Sequence, residues 1–89
     1  MEGFRGKIED EAGKFIMDVA GMLAIETPAH GVKSWHGTFA AKPAEGTGLF
    51  ERHVLMLRLS DGRSGRLFVN HYSPETGQVQ FRGAGPLLT

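Results

Sequence analysis

Two runs of alternating apolar and polar residues, 51–60 and 64–72, flank the turn sequence Ser-Asp-Gly-Arg at positions 60–63. This pattern constrains the fold more than any other feature of the chain. Alternation with a period of two is typical of strands that bury one face. An Asp-Gly pair between two such runs indicates a β-hairpin. The sequence therefore predicts two adjacent antiparallel strands in this part of the chain.

The turn also predicts the register of this hairpin. Side chains that lie directly opposite in a sheet share a face, so the turn must keep the aliphatic positions together. A type I turn with Gly62 in the left-handed conformation does so, because it pairs Leu55 with Leu67 and Leu57 with Gly65. We expect one aliphatic face and one face rich in arginine.

Similar alternation and turn residues recur along the rest of the chain. Glycine accounts for 13 of the 89 residues, about twice its usual frequency, which favours turns over helices. The predicted strands are 4–9, 14–26, 32–41, 51–60, 64–72 and 78–82. The sequence therefore predicts an all-β fold, a small antiparallel barrel or a strongly curved sheet of about six short strands, with residues 1–89 in one β-rich domain.

Residues 7–26 fit two structures. As strands they form a hairpin with a loop at 10–13, in which Phe4 lies opposite Val19 and Gly21 marks a bulge or a sharp bend. As a helix they carry an apolar stripe, although each interior glycine costs about 1 kcal/mol relative to alanine. The alternative fold is therefore α+β, with one N-terminal helix over a four-stranded antiparallel meander.

The predicted core consists of the residues that face inward in the strand assignment. These residues are Phe15, Val19, Leu23, Ile25, Trp35, Phe39, Leu55, Leu57, Leu67, Val69, Val79 and Phe81. Trp35 is the only tryptophan. It is interpreted as a core residue, with ligand stacking at a barrel mouth as the second interpretation.

The composition excludes several classes of protein. The chain contains no cysteine, which rules out disulfides, thiolate metal sites and thiol nucleophiles. No signal peptide or membrane-spanning run is recognisable, so we expect a cytoplasmic protein without a membrane partner. The formal net charge is +0 at pH 7, which argues against nucleic-acid binding through bulk charge alone.

The charges are unevenly distributed along the chain. Residues 1–26 contain six acidic and three basic residues, whereas residues 27–89 contain four acidic and seven basic ones. This difference predicts either ion pairs between the two parts of one fold or a basic face that is offered to an anionic partner.

Four arginines fall on the outward positions of the predicted strands, beside aromatic residues. Guanidinium groups bind phosphate or carboxylate bidentately, and aromatic rings stack on bases or on arginines. The face is a solvated surface, a subunit or protein interface, or a platform for a polyanion. The candidate residues for partner or anion binding are Arg52, Arg58, Arg66, Phe68, Tyr72 and Arg82.

No catalytic or metal-binding arrangement can be assembled from the sequence. The run Gly-Arg-Ser-Gly at 62–65 resembles a nucleophile elbow, but Arg66 stands where the second glycine of that motif belongs. The histidines match no metal-binding spacing, and a zinc site would require His36 to approach His53 and His71. We therefore predict no catalytic residue, no metal and no cofactor.

These patterns predict a non-catalytic small β-barrel interaction module of unidentified partner. Its partner is expected to be another protein or a second copy of the same chain. Binding of single-stranded nucleic acid or another polyanion through the arginine and aromatic face is the alternative function.

Overall fold

The computed structural model describes residues 1–27, 34–42, 48 and 54–88. Within these residues six antiparallel strands form, and the strands close into a barrel. This confirms the predicted all-β barrel, and the alternative with an N-terminal helix is wrong. The strands are β1 (Glu2–Glu9), β2 (Phe15–Glu26), β3 (Ser34–Ala40), β4 (Leu55–Leu59), β5 (Ser64–Ser73) and β6 (Gln78–Gly83).

The barrel consists of two three-stranded meanders joined side by side. The strand order is β1-β2-β3-β6-β5-β4, and β4 pairs with β1 to close the ring. Each of these strands therefore has two neighbours, so closure removes the free edges that would otherwise invite strand addition. In this order β6 lies three strands away from β1 in either direction, which places the two strands on opposite sides of the barrel.

The β4–β5 hairpin has the register that the turn sequence predicts. Leu55 pairs with Leu67, and Leu57 pairs with Gly65. Gly62 adopts a φ of 100°, in the left-handed region that glycine enters without steric cost. The amide nitrogen of Gly62 donates a hydrogen bond of 3.1 Å to the carbonyl oxygen of Leu59.

Residues 2–26 form the predicted hairpin, but its predicted register is wrong by two residues. Phe4 lies opposite Gly21 rather than Val19. The loop is longer than expected because the Asp10 carboxylate accepts hydrogen bonds from the amides of Ala12 and Lys14 and holds both residues in the turn. A β-bulge at the end of β1 adds the remaining shift.

The core contains the predicted inward residues with two exceptions. Phe15 is 52% exposed, because the bulge beside it interrupts the alternation of β2. Ile25 is 44% exposed, because β1 begins opposite Leu23 and leaves the end of β2 paired with β3 alone. The buried residues that the predicted core omits are Phe4, Ile8, Met17, Ala41 and Leu59.

Trp35 is a core residue, as predicted. Its side chain is 2% exposed and meets Phe81 edge to face, with ring centroids 6.0 Å apart. The indole nitrogen donates a hydrogen bond of 2.8 Å to the carbonyl oxygen of Gly85. Gly83 lies directly beside the ring, and a Cβ atom there would stand 2.2 Å from the indole nitrogen. The absence of a side chain at residue 83 therefore makes room for the indole.

Gly21 is required by the close approach of β2 and β3. Pairing continues through this residue without a register shift, so the predicted bulge at Gly21 is absent. A Cβ atom there would lie 1.9 Å from the carbonyl oxygen of Thr38. This approach accompanies the strong coiling that closes a barrel of few strands.

Candidate functional site

Two of the arginines, Arg58 and Arg63, form ion pairs with acidic residues of the same chain. The Arg58 Nε donates to Glu9 Oε1 at 2.5 Å. Arg63 contacts Glu2 at 2.9 Å and Asp61 at 2.8 Å. The pairs that Glu9 and Glu2 make join the acidic first part of the chain to its basic second part. They therefore account for some of the uneven charge distribution without any external partner.

Hydrogen bonding within the Asp61–Arg63 pair shifts both titrations. The side-chain hydrogen bond from Arg63 lowers the pKa of the Asp61 carboxyl, and the same contact raises the pKa of the Arg63 guanidinium. Both groups lie at the surface of the β4–β5 turn. The pair therefore stabilises the turn and leaves little free charge there.

The structure brings three of the predicted site residues together on the outer surface of β5 and β6. Phe68 lies directly opposite Arg82, and Arg66 precedes Phe68 by two positions on the same face of β5. Both arginines are exposed, whereas Phe68 is partly buried. We call the surface formed by Arg66, Phe68 and Arg82 the β5–β6 face.

The arginines of the β5–β6 face differ from Arg58 and Arg63 in their partners. Neither Arg66 nor Arg82 makes an ion pair or a hydrogen bond through its guanidinium to any residue that the structure describes. Both groups are therefore available to an external acceptor, with an aromatic ring between them.

A polar concavity borders the β5–β6 face on its β3 side. His36 pairs with Arg82 across β3 and β6, and its Nε2 lies 3.2 Å from Glu26 Oε1. The concavity has a volume of about 380 Å³. Its polar lining includes Ser34, His36, Thr38, Asn70, Gln80 and Arg82. Hydroxyl, amide and guanidinium groups, together with the Glu26 carboxylate, therefore surround this part of the face.

The predicted position of Tyr72 on the outer face is wrong. Pairing between β5 and β6 shifts between Val69 and His71, which leaves Asn70 as a bulge. After this bulge Tyr72 lies opposite the buried Val79 and packs against the core. Its hydroxyl group is buried and has no hydrogen-bond partner among the residues described. Tyr72 therefore does not belong to the β5–β6 face.

Of the other predicted positions that the structure describes, Arg58 does not join this face. Arg52 and His53 lie outside the described residues. Arg58 is on the outer side of β4 and is bound by Glu9. In the described part of the chain, no group of three or more histidine, aspartate or glutamate side chains could hold a metal ion.

His36 is a member of this region that sequence reasoning did not place there. Its even position in the predicted strand 32–41 indicates an outward side chain. Its proximity to Arg82 follows from the pairing of β3 with β6. This pairing joins strands that are distant in sequence, so a single sequence carries little local signal for it.

Comparisons with known proteins add no family to this description. No protein-family model matches the chain, and neither the curated proteins nor the solved structures compared with it contain a match. The functional argument therefore rests on the barrel and on the placement of its side chains. Separately, the described residues contain no helix that could span a lipid bilayer.

Proposed function

We propose that the chain is a non-catalytic binding module that contacts its partner through the β5–β6 face. The observation that carries this proposal is Phe68 flanked by two arginines that have no ion-pair partner among the described residues. Arginine and phenylalanine are enriched in protein interfaces, and arginine is a frequent energetic hot spot. The partner is another protein, with a second copy of this chain as the first candidate.

The barrel and its charge support association through a face. Because each strand has two neighbours in the closed ring, only short stretches of unpaired edge remain, and we expect the partner to bind side chains rather than add a strand. The formal net charge of +0 means that two copies carry little net repulsion.

Two observations support the proposals that the module is non-catalytic and that it is cytoplasmic. No aspartate, glutamate, histidine, lysine or arginine is buried within the described residues, whereas catalytic acids and bases commonly depend on burial to adjust their pKa values. The absence of cysteine is compatible with the cytoplasmic location that we propose.

Sedimentation equilibrium of two phenylalanine variants tests the proposal. We expect the parent to self-associate and Phe68→Ala to weaken this association, because the ring lies between Arg66 and Arg82. Phe15→Ala is the matched control, since Phe15 is 52% exposed but lies at the start of β2. Arg82→Glu provides a second variant at an exposed position that does not disturb the core. A parent that remains monomeric would contradict the proposal. An association that both Phe68→Ala and Arg82→Glu leave unchanged would contradict it as well.

A second candidate function is binding of single-stranded nucleic acid. The guanidinium groups of Arg66 and Arg82, which have no partner among the described residues, could bind phosphates, while Phe68 offers a ring for base stacking. Fluorescence anisotropy of a labelled oligonucleotide across salt concentrations tests this function. Arg66→Gln and Arg82→Gln should each reduce the slope of log K against log salt by about 0.7. Affinity that does not change with salt would contradict nucleic-acid binding.

A further inference from the structure

A groove lies on the side of the barrel opposite the β5–β6 face. It follows the outer surface of β1, between β2 and β4, and has a volume of about 750 Å³. This groove and the β5–β6 face share no residue, although β4, which lines the groove, is the strand next to β5. Its outward side chains are Arg5, Lys7, Asp18, Ala20, Arg58 and Ser60.

Small neighbours leave the guanidinium of Arg5 accessible. Arg5 lies opposite Ala20 on β2, and its carbonyl oxygen accepts a 2.8 Å hydrogen bond from the amide of Ser60. A second concavity of about 430 Å³ begins on the Gly3 side and shares Arg5, Ala20 and Ser60 with the first. Arg5 therefore stands between two hollows, and neither flanking residue is large enough to cover it.

The charges in the groove favour an anion. Lys7 lies directly opposite Arg58, and like charges at opposed positions in a sheet destabilise it. Asp18 faces Lys7 from the other side, and Glu9 binds Arg58. Arg5 makes no ion pair within the described part of the chain. Asp18 and Glu9 therefore offset the charges of Lys7 and Arg58, and an anion in the groove would give Arg5 a partner.

We propose that this groove binds a phosphate group, carried either by a small phosphorylated ligand or by an oligonucleotide. Arg5 supplies a planar guanidinium fork that fits phosphate oxygens, and Lys7 supplies a compact positive charge beside it. The volume of about 750 Å³ lies within the range of about 300–1,000 Å³ that is typical of small-molecule sites. This inference is independent of the proposed function at the β5–β6 face.

A titration of the ¹⁵N-labelled chain with inorganic pyrophosphate tests the groove. We expect saturable shifts of the backbone amides at Arg5, Lys7, Arg58 and Ser60. Arg5→Gln should weaken pyrophosphate binding about tenfold, because it removes a charge-assisted hydrogen bond. Lys14→Gln is the matched control, since it removes an exposed positive charge in the β1–β2 turn, outside the groove.

Two further measurements test whether the site is distinct from the β5–β6 face and whether the Arg5→Gln variant is folded. Arg82→Gln, on the opposite side of the barrel, should bind pyrophosphate as tightly as the parent does, which separates this site from the β5–β6 face. Unchanged Trp35 fluorescence would verify that the Arg5→Gln variant is folded. Shifts that do not saturate, or an Arg5→Gln variant that retains parental affinity, would overturn the proposal.

Competition identifies the source of the phosphate. Displacement of pyrophosphate from the groove amides by a short single-stranded oligonucleotide would support the groove and assign it to a nucleic-acid backbone. Saturable pyrophosphate binding that the oligonucleotide does not displace would support the groove as a site for a small phosphorylated ligand. Shifts that are confined to Phe68 and Arg82 would overturn the groove while supporting the other face.

Discussion

Replacing Gly21 with alanine perturbs a close approach between two strands of the barrel, β2 and β3. The new Cβ atom would lie 1.9 Å from the Thr38 carbonyl oxygen and 2.9 Å from the Phe39 Cα atom. Both are backbone atoms of β3, so neither can move away by a change of rotamer. Overpacking of a well-packed site typically costs about 1–3 kcal/mol. Because the strand itself must shift, we expect a loss in the free energy of unfolding of about 3 kcal/mol.

A loss of this size is a large fraction of the stability of a domain of this length. Total stabilities are about 5–15 kcal/mol, and each kcal/mol changes the Tm of a small domain by about 4–8 °C. We therefore expect the Tm of Gly21→Ala to fall by about 12–24 °C. Thermal unfolding can be followed by the fluorescence of Trp35, which is the only tryptophan and is buried.

Gly3→Ala is the matched control for this substitution. A Cβ atom at Gly3 would have its nearest neighbour, the carbonyl oxygen of Gly21, at 3.9 Å, which is an ordinary van der Waals contact. Alanine in a strand also avoids the entropic cost of glycine, so Gly3→Ala should change stability by less than about 1 kcal/mol. A Gly21→Ala variant that melts within about 4 °C of the parent would refute the close approach of β2 and β3.

Two further substitutions test other parts of the barrel. Leu57 is completely buried, so Leu57→Ala should cost about 2–5 kcal/mol in urea unfolding; a cost below about 1 kcal/mol would mean that Leu57 is not in the core. The Arg63 hydrogen bond lowers the pKa of Asp61 in the folded chain, so this carboxylate stabilises the fold above its ordinary pKa and loses that contribution as the pH falls through the lowered value. The parent and Asp61→Asn should therefore differ in Tm at neutral pH and have similar Tm values in strong acid. A Tm difference that persists unchanged in strong acid would contradict the stabilising role of the Asp61 carboxylate.

The local parts of the fold could be predicted because turn chemistry determines their register. Gly62 closes the β4–β5 turn and places Leu55 opposite Leu67, which alternation alone would not decide. In the first hairpin the same reasoning failed, since the Asp10 carboxylate extends the loop to Lys14. Apolar spacing gives no signal for that extension. The ring order of the strands also depends on pairings between distant parts of the chain.

The candidate site could be predicted only where alternation continues without interruption. Arg66, Phe68 and Arg82 lie on one outer face because no bulge separates them. Tyr72 lies beyond the bulge at Asn70 and therefore turns toward the core. The capture of Arg58 by Glu9 depends on the pairing of β1 with β4, which is a long-range contact that the sequence pattern does not specify.

The alternating outward residues of β1 were also a usable signal. Arg5, Lys7 and Glu9 alternate with the buried Phe4 and Ile8 along β1, so the charged outer face of this strand is visible as a period of two in the sequence. The groove itself required the neighbouring small residues of β2 and β4, which become adjacent to Arg5 only in the closed barrel.

The proposed binding of a second copy through the β5–β6 face is tested most directly by locating the self-association interface. We would record ¹H–¹⁵N spectra of the parent over a dilution series and identify the backbone amides whose shifts change with protein concentration. We expect changes that centre on Arg66, Phe68 and Arg82 and that disappear in Phe68→Ala. Changes confined to β1 and β4, or none at any concentration, would contradict the assignment of the β5–β6 face as the interface with a second copy.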